Sequence, residues 1–215
     1  MQKIIRPAIL AAQPLVLEAS FDLLRETNAE APFALFGGAV RDTDYAAFHG
    51  LESQVNDYDI RVWLPEDDHE ERKREFVARL GMLAGTAIRE VPSAGTGVIR
   101  YCLDYRGVEL DVSVRRPLAE VDNVDVRAPS LATLSTGALV AIERVKESDI
   151  GLSSVAIGSD GSAWETPEHA ADRANRTLTV YPRPNAERRL REYSERMHQK
   201  FPGHAVIWLP GGPTS

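Results

Sequence analysis

Apolar residues recur along the chain with the spacings of both helices and strands. From Pro14 to Asn28 they fall three or four residues apart, which predicts a helix that packs on the core. From Asp57 to Leu64 every second residue is apolar, which predicts a strand with one buried face. The other face of this strand begins with the polar residues Asp57 and Asp59. The predicted buried face carries Tyr58, Ile60, Val62 and Leu64.

Two glycine-containing segments predict tight turns between elements. The apolar run Phe33–Phe36 enters Gly37-Gly38, and the residues after Gly38 open a helix. The segments Val98–Tyr105 and Val108–Val114 are strand candidates separated only by Arg106-Gly107, which predicts a hairpin. The remaining predicted elements are helices over Pro65–Gly81 and Leu131–Val145, a long loop over Arg115–Ser130, a strand over Ile150–Ile157 and a basic amphipathic helix over Ala186–Phe201. This mixture of strands and helices with hairpins indicates the α+β class.

Composition narrows the class of protein. The chain has 215 residues, with 25 Lys and Arg against 32 Asp and Glu, so its net charge of -7 has the wrong sign for a protein that coats nucleic acid. The longest apolar runs have five residues and no targeting segment stands out, so we expect a soluble protein with no membrane partner. The only cysteine, Cys102, has no disulfide partner in the chain, and a reducing cytoplasm is the simplest compartment.

The segment that points most directly to a chemical function is Asp57-Tyr58-Asp59 on the alternating strand. Residues two apart on a strand point to the same face and lie roughly 7 Å from each other. Such a face needs a cation, and carboxylates suit hard divalent ions such as magnesium. A third carboxylate on a neighbouring strand, Asp111 or Glu109, would complete a site for two metal ions. The pattern therefore indicates phosphoryl or nucleotidyl chemistry.

A second feature lies upstream, at the turn between a strand and a helix. The glycines Gly37 and Gly38 let the backbone approach a phosphate closely, and free amides at the helix start point toward it. Arg41, one turn into the helix, is placed to pair with phosphate oxygens. This segment predicts an anion-binding element.

The order and spacing of the two features resemble a known family. Gly37-Gly38-Ala39-Val40-Arg41-Asp42, followed about fifteen residues later by Asp57-Tyr58-Asp59-Ile60, is similar to the head domain of CCA-adding enzymes and bacterial poly(A) polymerases. These enzymes belong to the DNA polymerase beta-like nucleotidyltransferase superfamily. The segment Val108–Val112 resembles the strand with the third carboxylate, where Asp111 is favoured and Glu109 remains a rival. Asp149 falls at the aspartate of a downstream family motif, although Ser148 and Ser153 replace its arginine and asparagine.

The resemblance implies a fold, a reaction and a set of roles. It implies a small mixed sheet flanked by helices, with the carboxylates on the open face. It implies that Asp57, Asp59 and Asp111 are catalytic and hold Mg²⁺ or Mn²⁺, and that a nucleoside triphosphate, ATP among the candidates, is the substrate. The nucleotide would be held by Gly37, Gly38, Arg41 and Asp149. Its nucleoside monophosphate would pass to an acceptor hydroxyl on RNA, a protein or a small molecule, with release of pyrophosphate.

The extent of the resemblance suggests a domain organisation. It covers roughly residues 31 to 200 and leaves no room for the family's neck, body and tail domains. We therefore expect a head-like domain over residues 1–183, a basic helix packed on it over 184–203 and a tail over 204–215. Two other functions remain open: a non-catalytic nucleotide-binding or regulatory module, and an RNA-binding accessory subunit that uses the basic helix.

Overall fold

The alternating segment that begins at Asp57 forms a central strand of a mixed sheet. The computed structural model describes residues 1–4, 8–12, 14–65, 67–92, 98–116, 134–181 and 187–209. The strands are β1 (Gln2–Ile4), β2 (Phe33–Phe36), β3 (Asp57–Trp63), β4 (Arg89–Pro92), β5 (Ile99–Tyr105), β6 (Val108–Arg115), β7 (Val155–Gly158), β8 (Ala163–Glu165), β9 (Thr177–Val180) and β10 (Ala205–Trp208). The helices are α1 (Ala8–Ala12), α2 (Pro14–Thr27), α3 (Gly38–His49), α4 (His69–Ala84), α5 (Thr136–Lys146), α6 (Pro167–Asn175) and α7 (Glu187–Lys200).

Eight of these strands form one sheet in the order β1-β8-β7-β2-β3-β6-β5-β4. The pairing of β3 with β6 is parallel, and the other pairings in this sheet are antiparallel. Strands β5 and β6 form the predicted hairpin through Arg106 and Gly107. The sheet is therefore mixed and flanked by helices, and the predicted α+β class is confirmed.

The two faces of the sheet are covered differently. One face carries the apolar residues of β3 and packs against α2 and α4, for example through Phe21 and Leu80. The four predicted apolar positions of the segment, Tyr58, Ile60, Val62 and Leu64, are at most 1% exposed, as expected for a strand with one face in the core. The opposite face is covered at β2 and β7 by α5, through residues such as Val140 and Ala141. The polar residues of β3 lie on this second face.

A smaller apolar cluster forms beside α3, around a two-stranded parallel sheet. Strands β9 and β10 pair in register from Thr177 with Ala205 to Val180 with Trp208. Helix α7 packs on this sheet through Leu190 and Met197. The basic segment therefore forms the predicted helix, and it is held against the rest of the protein by its apolar side.

Several predicted elements differ from the structure. The strand expected over Ile150–Ile157 is wrong in its first half, where Gly151–Ser153 forms a short 3-10 helix and β7 begins only at Val155. The hydroxyl of Ser154 donates to the carbonyl of Ile150 at 3.1 Å, a local bond that competes with strand pairing. Helix α4 begins at His69 rather than Pro65. Most of the loop expected over Arg115–Ser130 lies outside the described residues.

Within the described ranges, no helix combines the length and apolar character that crossing a membrane requires.

Candidate active site

Three carboxylates lie together on the second face of the sheet. The parallel pairing of β3 and β6 places Asp59 directly opposite Asp111, and Asp57 opposite Glu109. Paired residues on neighbouring strands project from the same face, so Asp57, Asp59 and Asp111 form a compact group. Asp111 is buried, Asp59 is partly buried and Asp57 is exposed. The structure thus brings together the three predicted metal-binding side chains and also places Glu109 beside them.

Burial, and then repulsion between the carboxylates, raises the pKa values of Asp59 and Asp111. Burial raises the pKa of Asp59 to about 6, with further contributions from the negative charges of Asp57 and Asp111. The cations Arg144 and Arg41 oppose this shift. Burial also raises the pKa of Asp111, although Arg100 works in the opposite direction. A group of acids with this mutual repulsion is a suitable site for a divalent cation, because the cation neutralises the charge that burial penalises.

Two arginines pair with the carboxylates of β6. Arg100 of β5 forms an ion pair with Asp111, and Arg89 of β4 forms one with Glu109. The Asp111 side chain is only 8% exposed, whereas the Glu109 side chain is 38% exposed. An incoming metal ion at Asp111 would have to compete with the Arg100 guanidinium. Sequence reasoning did not identify either arginine, because cross-strand pairing is needed to place them.

Gly37 brings the backbone against Asp59. Its φ of 76° and ψ of -146° lie in a region that is essentially open only to glycine. A Cβ atom at this position would overlap the Asp59 carboxylate, with Asp59 Cγ only 2.8 Å away. Helix α3 begins at the next residue, Gly38, so its first amides lie beside the aspartates. The predicted strand, glycine turn and helix start are confirmed, and the turn is built around Asp59.

Arg41 is buried at the start of α3. Its Nε donates to Asp42 at 2.7 Å, and its Nη1 donates to Ser153 at 3.3 Å. The Tyr193 hydroxyl of α7 lies 3.0 Å from Ser153 Oγ. Burial opposes the charged form of Arg41, but Tyr193 and Asp42 raise its pKa overall. Arg41 is therefore a permanent, positioned cation next to the first turn of α3.

Lys200 adds a second cation at the same helix start. It lies at the end of α7 and forms an ion pair with Asp42. A Cβ atom on Gly38 would lie 3.7 Å from Arg41 Nη2 and 4.0 Å from Lys200 Nζ. The two cations therefore converge on Gly38 and the first amides of α3, together with the Asp42 carboxylate that pairs with both of them and would lie 3.3 Å from the same Cβ. Sequence reasoning placed Lys200 on a basic helix, but only the packing of α7 against α3 shows where its charge lies.

Asp149 has a different setting from the other predicted nucleotide-binding residues. It follows α5, and its backbone carbonyl accepts a hydrogen bond from the Tyr181 amide at 2.9 Å. Four residues later, Ser153 is the residue that contacts Arg41. In this segment, Ser153 rather than Asp149 provides the contact with Arg41.

A second acidic group lies on the far side of α3. Asp44, Glu165 and His169 could by composition hold a metal ion. However, the His169 ring nitrogens lie 2.7 Å from the Leu152 carbonyl and 2.9 Å from Asp44 Oδ2. Arg173 forms ion pairs with both Asp44 and Glu165. The protein itself therefore supplies the cations and hydrogen bonds of this cluster, which joins α3 to α6 and β8.

Comparison with known proteins gives structural matches but no sequence family. No protein-family model and no curated protein matches the chain. The chain is similar to the structure of the Bacillus stearothermophilus CCA-adding enzyme in complex with CTP, at 14% identity and a TM-score of 0.49, over 90% of this chain and 41% of that one. It is similar to a tRNA-processing enzyme complex at 16% identity and a TM-score of 0.43, over 74% of this chain and 35% of that one.

A third match is the Cid1 poly(U) polymerase with MgGTP bound, at 14% identity and a TM-score of 0.33, over 53% of this chain and 34% of that one. The chain therefore spans 34% to 41% of the length of these three structures.

Proposed function

We propose that the protein is a divalent-metal-dependent nucleotidyltransferase. The observation that carries the proposal is the register of β3 and β6, which places Asp59 opposite Asp111 with Asp57 on the same face. The turn at Gly37 closes on Asp59 and begins α3 beside it. The cluster of three aspartates lies next to the start of α3, where Arg41 and Lys200 supply two cations. This arrangement supports simultaneous binding of a metal ion and a triphosphate.

The residues fit a divalent cation by their chemistry. Asp57, Asp59 and Asp111 would hold it, because they offer hard oxygen ligands whose mutual repulsion a cation relieves. When bound, the ion would act as a Lewis acid on the phosphate and on the acceptor hydroxyl. Glu109, which is more exposed and lies two residues before Asp111 on β6, is the second choice for the third ligand.

The chain's own residues define the rest of the mechanism. The first amides of α3, Arg41 and Lys200 would bind the triphosphate and orient it toward the aspartates. Asp111 would accept the proton of the acceptor hydroxyl. The acceptor oxygen then forms a bond to the α-phosphorus, the bond from that phosphorus to the bridging oxygen breaks, and pyrophosphate leaves. RNA is one candidate acceptor, together with a protein or a small molecule.

One observation favours a second candidate, a nucleotide-binding module without turnover. Arg100 forms an ion pair with Asp111, and Arg89 forms one with Glu109, so each candidate for the third carboxylate is already paired with a cation. A protein that binds nucleotide without a metal ion would tolerate such pairing. In that case, nucleotide binding would survive the replacement of Asp57 and Asp59 by alanine.

The decisive experiment is label transfer from nucleoside triphosphates. The protein is incubated in cell extract with each of the four α-phosphate-labelled nucleotides and with magnesium or manganese. We expect label in a discrete product with the wild type and none with Asp57→Ala/Asp59→Ala. A matched control, Asp22→Ala/Glu26→Ala, removes two exposed charges from α2 behind the opposite face of the sheet and should transfer normally.

The outcomes separate the two candidates. If label moves with the wild type and with the control variant but not with Asp57→Ala/Asp59→Ala, the transferase is supported. The labelled product then identifies the acceptor and the preferred base. Absence of transfer with every nucleotide, together with nucleotide binding that the aspartate variant retains, would replace the transferase by the binding module.

A further inference from the structure

Arg144 is a cation beside the aspartates that neither the sequence motifs nor the proposed mechanism uses. It lies in the last turns of α5, and its guanidinium carbon is 4.0 Å from the centre of the Phe36 ring. Phe36 is the residue of β2 that pairs with Asp59 across the sheet. Phe36, Asp59 and Asp111 thus form a row of paired residues across β2, β3 and β6. Arg144 covers the Phe36 end of this row, and its charge acts on Asp59.

Arg144 forms no ion pair among the residues that the structure describes, although the negative charges of Glu147 and Asp59 act on it. Its Nε is buried and makes no hydrogen bond there. The two acids nearest to it on α5 are engaged elsewhere. Glu147 forms an ion pair with Arg61, and Glu143 accepts a hydrogen bond from Trp63 Nε1 at 3.3 Å.

This arrangement is costly in the absence of a ligand. Burial, together with the positive charge of Arg61, lowers the pKa of Arg144 to about 10. Its contact with Phe36 is a cation–π interaction, which offsets only part of the cost of burying a guanidinium. Asp59 supplies some compensation, but a cation bound at the carboxylates would neutralise Asp59 and leave Arg144 unbalanced. With a cation bound there, Glu147, which Arg61 also engages, would be the main acid that acts on Arg144, and a further anion near Arg144 would be favoured.

We propose that Arg144 binds the non-transferred phosphates of the nucleoside triphosphate, from the α5 side of the carboxylate group. This inference rests on the proposed function, because it names a further contact of the same substrate. Arg41 and Lys200 approach from the start of α3, and Arg144 approaches from the end of α5. A polyphosphate between the two helices would contact cations of both, whereas a nucleoside monophosphate would not need the contact with Arg144 of α5.

The test is binding of inorganic tripolyphosphate in the presence of magnesium, because this probe carries the phosphates without a base or a sugar. Affinity is measured by calorimetry for the wild type, Arg144→Gln and Arg144→Lys. We expect Arg144→Gln to weaken tripolyphosphate binding about 10- to 100-fold, as for loss of a charge-assisted hydrogen bond. Arg144→Lys should recover part of this loss, and binding of nucleoside monophosphates should change little in either variant.

Two controls exclude a purely structural effect. Lys146→Gln removes the same charge from an exposed position on the same helix and should bind as the wild type does. Without ligand, Arg144→Gln should be at least as resistant to urea as the wild type, because it removes a buried charge. A structural role would instead make it less stable and weaken every ligand equally.

The outcomes distinguish the inference from the proposed function. If the wild type binds tripolyphosphate and Arg144→Gln binds it equally well, the inference is overturned and the transferase proposal stands. If the wild type binds neither tripolyphosphate nor any nucleoside triphosphate with magnesium, the proposed function fails and the inference fails with it.

Discussion

Asp59 carries the most direct conflict between burial and charge at the candidate site. The carboxyl group must be ionised to bind a metal ion, yet its surroundings raise its pKa to about 6. Since the unfolded chain has the ordinary aspartate pKa near 3.9, the folded protein retains this proton more strongly than the unfolded chain does. The free energy of unfolding therefore falls as the pH rises through this interval, and it recovers as the pH is lowered.

Replacing Asp59 by asparagine should remove this pH dependence. At pH 5 the wild-type side chain is mostly neutral, and at pH 7 it is mostly charged. From pH 5 to pH 7, in the absence of metal, this ionisation should lower the free energy of unfolding of the wild type by about 1 kcal/mol. Asp59→Asn should not show this loss. Urea unfolding of both proteins at each pH measures the difference, and parallel curves would show that Asp59 ionises normally.

Gly37 allows a second prediction at the scale of a single residue. Gly37→Ala should destabilise the protein by about 3 kcal/mol, because a Cβ atom strains the backbone and also overlaps the Asp59 carboxylate. The matched control is Gly50→Ala at the other end of α3, where φ is 65° and a Cβ atom meets nothing within 4 Å. We expect the control to cost about 1 kcal/mol, the strain alone. Equal losses in urea unfolding would argue against close contact between Gly37 and Asp59.

At the scale of elements, arginines of the neighbouring strands β4 and β5 determine whether Asp111 or Glu109 of β6 is available to a metal ion. Arg100→Gln should strengthen manganese binding about 3- to 10-fold, because the metal ion no longer competes with a guanidinium that is 40% exposed. Arg89→Gln frees Glu109 instead and should leave the affinity unchanged. Manganese titration followed by calorimetry or electron paramagnetic resonance compares the two. The reverse ranking would identify Glu109 as the third ligand.

The elements near the site could be predicted because their patterns are local. The alternation after Asp57 and the glycines before α3 specify a strand and a turn without reference to the rest of the chain. The short 3-10 helix at Gly151–Ser153 was missed, since serine hydroxyls that bond to the backbone leave no periodic pattern. The positions of Arg100 and Arg144 depend on strand order and on helix packing between distant segments. Sequence therefore predicted the acidic side chains and missed most of their cationic neighbours.

In the whole molecule, α3 joins the eight-stranded sheet to the cluster of α7, β9 and β10. At its start, Asp42 forms an ion pair with Lys200 of α7. Further along, Asp44 meets His169 and Arg173 of α6. The position of the Gly37 turn thus depends on contacts on both sides of one helix. Loss of the buried contact between Asp44 and His169 should loosen the start of α3 as well as the fold.

His169→Leu tests this dependence. His169 is fully buried, and its loss leaves the Leu152 carbonyl without its partner and Asp44 with Arg173 alone, which should lower the free energy of unfolding by about 3 kcal/mol. His198→Leu, at an exposed position of α7, should change it by less than about 0.5 kcal/mol. Urea unfolding with and without a chelator provides the measurement. Since Arg173 already balances the acids, the chelator should not change the difference in stability between the wild type and His169→Leu. A chelator-dependent loss of stability that the wild type shows and His169→Leu lacks would mean that a metal ion, rather than Arg173, holds this cluster together.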